Sequence, residues 1–451
     1  MHIKRFLLIL LACFLTGTLW AQSTSTSPYS RYGFGDINSS ALTPYFSMGG
    51  LSIPIGEATQ LNLSNPATLS HIAKNRPLLD IGMRGNFTKL TSASSDNLVH
   101  TFSLRNISMG IPVSKRWGTS FGLVPYSSVG YKISDVQQVE GIGDVEYLYE
   151  GSGGLNQVFV GNSYRIIDKD SVKLALGLNA SYIFGTINKH RDAVFNSSSF
   201  FNTKVRNATI IGDALFDAGL HYEGYLKGNI RYAVGATISL PSELNAKQDI
   251  LSQSYQGTGV FETIIDTIEF VDSLEGSITM PKKLGYGIAF EFRSKQGNVK
   301  NNRRSFLIGI QYQLQDWSAY KEVFGETTVE DVLKNSSQYS LGMQLIPVMI
   351  TRQDASTTYF QKARYRMGFR YSKTYLQLSE TQLDEYGISF GIGLPLMNSG
   401  STSMLNIGCE LGERGTIENS LIKEQFAKIN IGFSLSPHWK HDVWFRKIKY
   451  D

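Results

Sequence analysis

The sequence predicts an all-β protein, a transmembrane antiparallel β-barrel of about 14 strands with an amino-terminal segment plugging its lumen. Three observations predict it: strict two-residue alternation, an export signal, and no apolar run long enough for a membrane helix. In residues 171–184, Val172, Leu174, Leu176, Leu178, Ala180, Tyr182 and Phe184 alternate with Ser171, Lys173, Ala175, Gly177, Asn179, Ser181 and Ile183. A period of two sends the two sets to opposite faces of a strand. The pattern returns with Tyr365, Met367, Phe369 and Tyr371, and again with Ile429, Ile431, Phe433 and Leu435. Such ribbons suit a barrel with apolar side chains against lipid and polar ones against a wet lumen.

The elements follow in chain order. Lys4 and Arg5 precede the apolar run from Phe6 to Leu15, and Ala21 stands before Gln22, which makes residues 1–21 a secretory signal peptide. Leu10, Leu11, Ala12 and Cys13 also resemble a lipoprotein cleavage box, but cutting there would leave an apolar amino terminus. The net charge of +5 includes two positive charges of the signal, so the mature chain is close to neutral. That balance gives no reason to expect a nucleic-acid partner. Of the two cysteines only Cys409 lies beyond the signal, so an internal disulfide is excluded and backbone pairing must hold the fold. A content of 43 Gly, 23 Tyr and 25 Phe against 12 Pro suits many strands with aromatic girdles at the membrane interfaces.

Residues 22–76 contain no spanning strand. They are placed inside the barrel as a hatch, the alternative being a periplasmic tail. Strands are predicted at 77–90, 98–113, 117–133, 154–166, 171–185, 208–225, 229–240, 282–293, 304–315, 337–347, 364–376, 384–395, 402–412 and 424–435, and residues 436–451 form a periplasmic tail. Short turns at 114–116, 167–170 and 226–228 alternate with long connections at 134–153, 186–207, 241–281 and 316–336. That parity places the short turns in the periplasm and the long connections outside. Charges including Lys173, Glu223, Arg231, Glu291 and Glu385 all fall on the polar sets, which predicts a polar, charged lumen. A soluble two-layer sandwich shares the alternation, but its single core would have to crowd the Tyr and Phe of a chain this long.

Asn65, Pro66 and Ala67 ahead of the first strand, the Asp316, Trp317, Ser318 triplet after a mid-chain strand, the opening 27–33 and the closing Trp444 to Lys447 together resemble a divergent branch of the FadL-type transporters of Gram-negative outer membranes. Those proteins carry long-chain fatty acids and hydrocarbons. The resemblance implies that Asn65, Pro66 and Ala67 lie in a hatch and that a hydrophobic ligand leaves sideways through the wall. One departure is the stretch beyond Leu435, which leaves Phe433 with Leu435, or Trp444 with Phe445, as the assembly signal.

The outer connections hold more apolar residues than solvated loops need: Phe195, Phe200 and Phe201 in one, and Val260, Phe261, Ile264 and Ile265 in another. They are candidate capture sites for an oily ligand, or alternatively a hairpin extending two strands. Arg364, Arg366 and Arg370 share the polar face of one strand and suit either a carboxylate head group or an ion-pair ladder with Glu385 and the hatch. His438 and His441 lack further ligands for a metal. No cofactor and no catalytic constellation are expected. The function read from these features is passive uptake of hydrophobic small molecules such as long-chain fatty acids, captured outside and released past the hatch. The alternative is a docking subunit of type IX protein secretion. The expected surroundings are outer-membrane lipid, lipopolysaccharide and the barrel-assembly machinery.

Overall fold

Hydrogen-bonded neighbours follow chain order around a closed ring. The computed structural model describes residues 27–436 except 94, 197–198, 227–229, 258–260, 295–302, 331–332, 350–357, 379 and 397–401. The expected signal peptide, Val260 and the residues beyond Ser436 lie outside the described residues. The wall starts with β2 (Leu78–Thr91) and β3 (Asp96–Pro112), after a two-residue strand β1 (Asp36–Ile37) in the amino-terminal segment. It continues through β4 (Trp117–Pro125), β5 (Ser127–Val139), β6 (Gly143–Asp168), β7 (Val172–Phe195), β8 (Asn202–Leu226), β9 (Ile230–Ser239), β10 (Ser242–Gln256), β11 (Thr263–Met280) and β12 (Lys283–Arg293). It finishes with β13 (Arg303–Gln315), β14 (Lys321–Phe324), β15 (Thr327–Glu330), β16 (Ser336–Met349), β17 (Arg364–Leu378), β18 (Thr381–Pro395), β19 (Met404–Arg414) and β20 (Lys423–Leu435). β20 pairs with β2 from Leu79 opposite Leu435 to Thr91 opposite Lys423, which closes the ring.

Five crossings are broken in the middle, one of them between β15 and β16, so the nineteen wall segments make a ring of fourteen strands. The other breaks fall between β4 and β5, β9 and β10, β11 and β12, and β13 and β14. Three of them hold Pro125, Pro241 or Pro281, which bring no N–H to the ladder and so end it locally. The fourth holds a 3-10 turn at Trp317–Ala319. Leu178, Phe216, Ile310, Phe369, Phe390 and Ile431 all face outward and are exposed, an apolar belt that water would not tolerate at this extent. This is a closed multi-pass β-barrel with a membrane-facing outer surface.

Two expectations need correction. The connections 134–153, 186–207 and 241–281 are mostly strand rather than loop, because β6, β7 and β8 run for 26, 24 and 25 residues where a bilayer needs about 9–11. Beyond the lipid both faces of a strand are wet, so the alternation fades while backbone pairing goes on. The lumen is also not polar throughout. On the β6 to β11 side Leu155, Ile183, Ile187, Ile211, Leu244 and Ile278 are buried on the inner face, in one cluster with Phe34 of the amino-terminal segment and Trp317. Here the wall encloses protein rather than water, and dispersion contacts replace hydration.

Candidate functional site

The amino-terminal segment is seated by hydrogen bonds that its sequence supplies. Asn65 is fully buried and caps the 3-10 turn Pro66–His71: its Oδ1 accepts from Ala67 N at 3.0 Å, with Pro66 at the first position of the turn. Its Nδ2 donates to Ile53 O at 2.8 Å and to Leu220 O of β8 at 3.1 Å, tying the turn to the wall. Wall and segment meet at backbone distance. A Cβ on Gly177 of β7 would stand 2.3 Å from Ala67 N, and one on its cross-strand partner Gly219 would stand 2.2 Å from Asn65 Oδ1. On the opposite wall a Cβ on Gly368 would come within 2.0 Å of Met48 C, next to the short helix α1 (Thr43–Phe46). At the end of the turn His71 lies 3.3 Å from Glu223, and burial drives its imidazole below the ordinary value against the opposing pull of that carboxylate.

The three arginines expected in the lumen are there, and the protein itself occupies most of their donors. Arg364 pairs with Glu57 of the segment and donates to Thr59 Oγ1 at 3.0 Å. Burial alone would raise the Glu57 carboxyl, but Arg364 and Arg366 hold it below its ordinary value. Arg366 donates to Gln344 Oε1 at 2.7 Å and Asn406 Oδ1 at 3.0 Å. Arg370 bridges Glu385 at 2.7 Å and Glu410 at 2.8 Å. Arg414, which the sequence reading did not single out, binds Asp36 of the segment at 2.8 Å and Glu424 at 2.7 Å. Between the two readings of the arginine strand, these contacts are those of an ion-pair ladder. Arg366 differs from Arg364 and Arg370 in having amide partners and no carboxylate, with its Nη2 buried and without a hydrogen-bond partner among the described residues.

The opening lies on the other side. β3 pairs with β4 only from Ile107 opposite Leu123 to Pro112 opposite Gly118, so residues 96–106 of β3 have no neighbour on that flank among the described residues. β4 stops at Pro125, and beyond it β5 turns away to pair with β6 and with the two-residue β1. A cavity of about 930 Å³ begins against Leu42, Asn62 and Pro66 of the segment and reaches Phe102 and Leu104, outward residues of β3 on the lipid belt. It therefore runs from the lumen through the wall. Arg84, Arg105 and Lys283 line it, against a single carboxylate, Asp217. Arg84 donates to Asn38 Oδ1 at 2.7 Å, and Arg105 donates to Ala41 O and lies over the Phe46 ring. None of the three cations forms an ion pair among the described residues, unlike Arg364, Arg370 and Arg414.

The outer candidates are spread apart. Phe195 is half-buried at the end of β7 and packs against Phe200, with ring centroids 5.7 Å apart, while Phe201 is exposed beside it. Phe261 is the most exposed of the set at 83 %, and Ile264 and Ile265 stand exposed on β11. The cavity wall includes none of them. Sequence reasoning missed the cavity cations and the gap, although Pro125 inside the predicted strand 117–133 was a legible signal for a break. Among the described residues no group of three or more His, Cys, Asp or Glu could hold a metal ion.

A family model described as BamG matches residues 2–451. The chain belongs to the BamG family. No characterised protein matches this BamG chain in sequence. Solved structures share its fold at low identity. The Pseudomonas putida toluene transporter TodX is 14 % identical with a TM-score of 0.53, over 89 % of this chain and 99 % of that one. The Ralstonia pickettii toluene transporter TbuX is 12 % identical with a TM-score of 0.52, over 89 % and 100 %. A Pseudomonas aeruginosa FadL homologue is 11 % identical with a TM-score of 0.51, over 89 % and 98 %. The FadL-type barrel expected from the sequence is the fold this BamG-family chain adopts.

Proposed function

We propose that this barrel passes a hydrophobic molecule with an anionic head, a long-chain fatty acid or similar single-chain amphiphile, sideways between its lumen and the bilayer. One observation carries the reading: the cavity that joins the amino-terminal segment to the outward face of β3 through a stretch of wall without strand pairing. Phe102 and Leu104 at its mouth suit the tail, and the unpaired Arg84, Arg105 and Lys283 suit the head. Residues 22–76 act as the hatch, with Asn65, Pro66 and Ala67 fixing its turn, and Phe200, Phe201, Phe261, Ile264 and Ile265 collect ligand outside. The transporters that share the fold are described as carrying toluene, a neutral molecule, and the cavity's cations favour a charged head here. The test is uptake of labelled palmitate by cells carrying the wild type or Ser103→Trp, which fills the cavity mouth. A loss of about tenfold or more supports lateral passage. Equal uptake in cells without the protein removes it.

A second reading is favoured by the family itself, whose name ties it to β-barrel assembly. In it the barrel is an accessory subunit and its outer sheet docks a partner, in the assembly machinery or in a secretion system. Affinity purification from native membranes decides whether such machinery co-isolates at stoichiometric yield.

A further inference from the structure

The sheet outside the membrane ends in an open edge. β9 and β12, of 10 and 11 residues, already suffice to cross a bilayer, so the β10 and β11 hairpin beyond their breaks stands outside the membrane. β11 pairs along one flank with β10, but on the other flank only Gly276, Ser277 and Ile278 have a neighbour, in β14. Residues 263–275 therefore present a row of unpaired backbone groups among the described residues. Every residue from Thr263 to Phe270 is exposed, with Ile268 at 62 % and Phe270 at 71 %. Register slips against β10 leave Ile265 and Ile268 with no residue opposite, which re-aims both side chains.

Proteins guard such edges with charge, commonly lysine. Here the charge is of one sign: Glu262, Asp266, Glu269, Asp272 and Glu275, with no Lys or Arg anywhere from 257 to 281. Glu262 pairs with Lys204, and Glu275 lies 4.0 Å from Lys247. Asp266, Glu269 and Asp272 form no ion pair among the described residues. Two copies of this edge would repel one another, so a second copy of the chain is a poor occupant.

We propose that the free edge of β11, residues 263–275, docks an extended segment of a partner polypeptide in which basic residues alternate with apolar ones. The added strand would satisfy the backbone groups, its basic side chains would meet Asp266, Glu269 and Asp272, and its apolar ones would cover Ile268 and Phe270. This edge contributes no residue to the cavity, and Asp266, Glu269 and Asp272 have no part in the proposed ligand capture. The test uses the full chain in detergent and a fluorescent ten-residue peptide of alternating Lys and Val, followed by anisotropy and amide hydrogen exchange. The expected result is saturable binding with new protection of amides within 263–275. Binding should weaken at least tenfold in the Asp266→Lys, Glu269→Lys, Asp272→Lys triple variant, and by a smaller factor in Glu269→Gln, Asp272→Asn, a milder change that keeps the proposal testable if the triple variant misfolds. A Glu and Val peptide should not bind. Equal affinity in the folded variants, equal binding of the acidic peptide, or protection elsewhere than 263–275 would overturn it.

Discussion

The wall formed by β16 to β20 and the wall formed by β2 to β5 enclose the same lumen and treat the same amino-terminal segment in opposite ways. On the first side strands pair without a gap, and three of the four inward arginines are matched, Arg364 with Glu57, Arg370 with Glu385 and Glu410, Arg414 with Asp36 and Glu424, while Arg366 rests on Gln344 and Asn406. On the second side pairing stops at Leu123 of β4, and Arg84 and Arg105 have only amide or carbonyl oxygens and a ring for company. Burying an ion costs several kcal/mol unless a partner repays it. The closed side repays that cost within the protein. The open side leaves it to water or, under the proposed function, to the anionic head of a ligand.

The largest expected effect is on the closed side. Arg370→Ala leaves Glu385 and Glu410 with Lys428 alone, at 3.3 and 3.7 Å, and denaturant unfolding should show a loss of about 3 kcal/mol. Gly177→Val drives a side chain into the backbone of Ala67. It should cost about 1–3 kcal/mol and make the amino-terminal segment protease-sensitive while the barrel still migrates as a folded species on an unheated gel. A retained, protease-resistant segment would show that the wall can yield there.

Acid should act next. The Glu57 carboxyl is held below its ordinary value, so its pairing contributes stability that is present above about pH 4.3 and is lost as pH falls through the lowered value. Melting profiles should lose stability on the acid side in the wild type and less so in Glu57→Gln. The smallest effect belongs to the open side. Arg84→Gln breaks no ion pair and should change stability by about 1 kcal/mol or less, yet weaken binding of a long-chain carboxylate relative to a neutral alkane. A destabilisation as large as that of Arg370→Ala would erase the contrast between the two sides.

Particular residues show how much of this was readable. Alternation from Val172 to Phe184 placed β7 and its faces, since period-two patterning is local and lipid and lumen impose opposite polarity on successive residues. The same logic put Arg364, Arg366 and Arg370 on the inner face, where they lie. It could not separate a ligand fork from an ion-pair ladder, because Glu57 is some 300 positions away in sequence and meets Arg364 only when the segment threads the barrel. Glycines such as Gly177 and Gly368 sat on the inward sets and could have marked the close approach of a second chain segment. Ile183, Ile187 and Ile211 broke the expected lumen polarity because they pack on Phe34 and Trp317, contacts that no strand-by-strand reading contains.

Sequence alone determined the strand count, the lipid face and the inward position of the arginines, because each follows from residues a few positions apart answering to the same solvent. Tertiary structure alone decided that β5 leaves β3 unpaired, that the cavity of about 930 Å³ opens through that gap, and that Arg84, Arg105 and Lys283 stay without carboxylates. Which strand pairs with which, and which charges meet across a lumen, is settled by ring closure and the threading of one segment through it, and both are global properties of the chain.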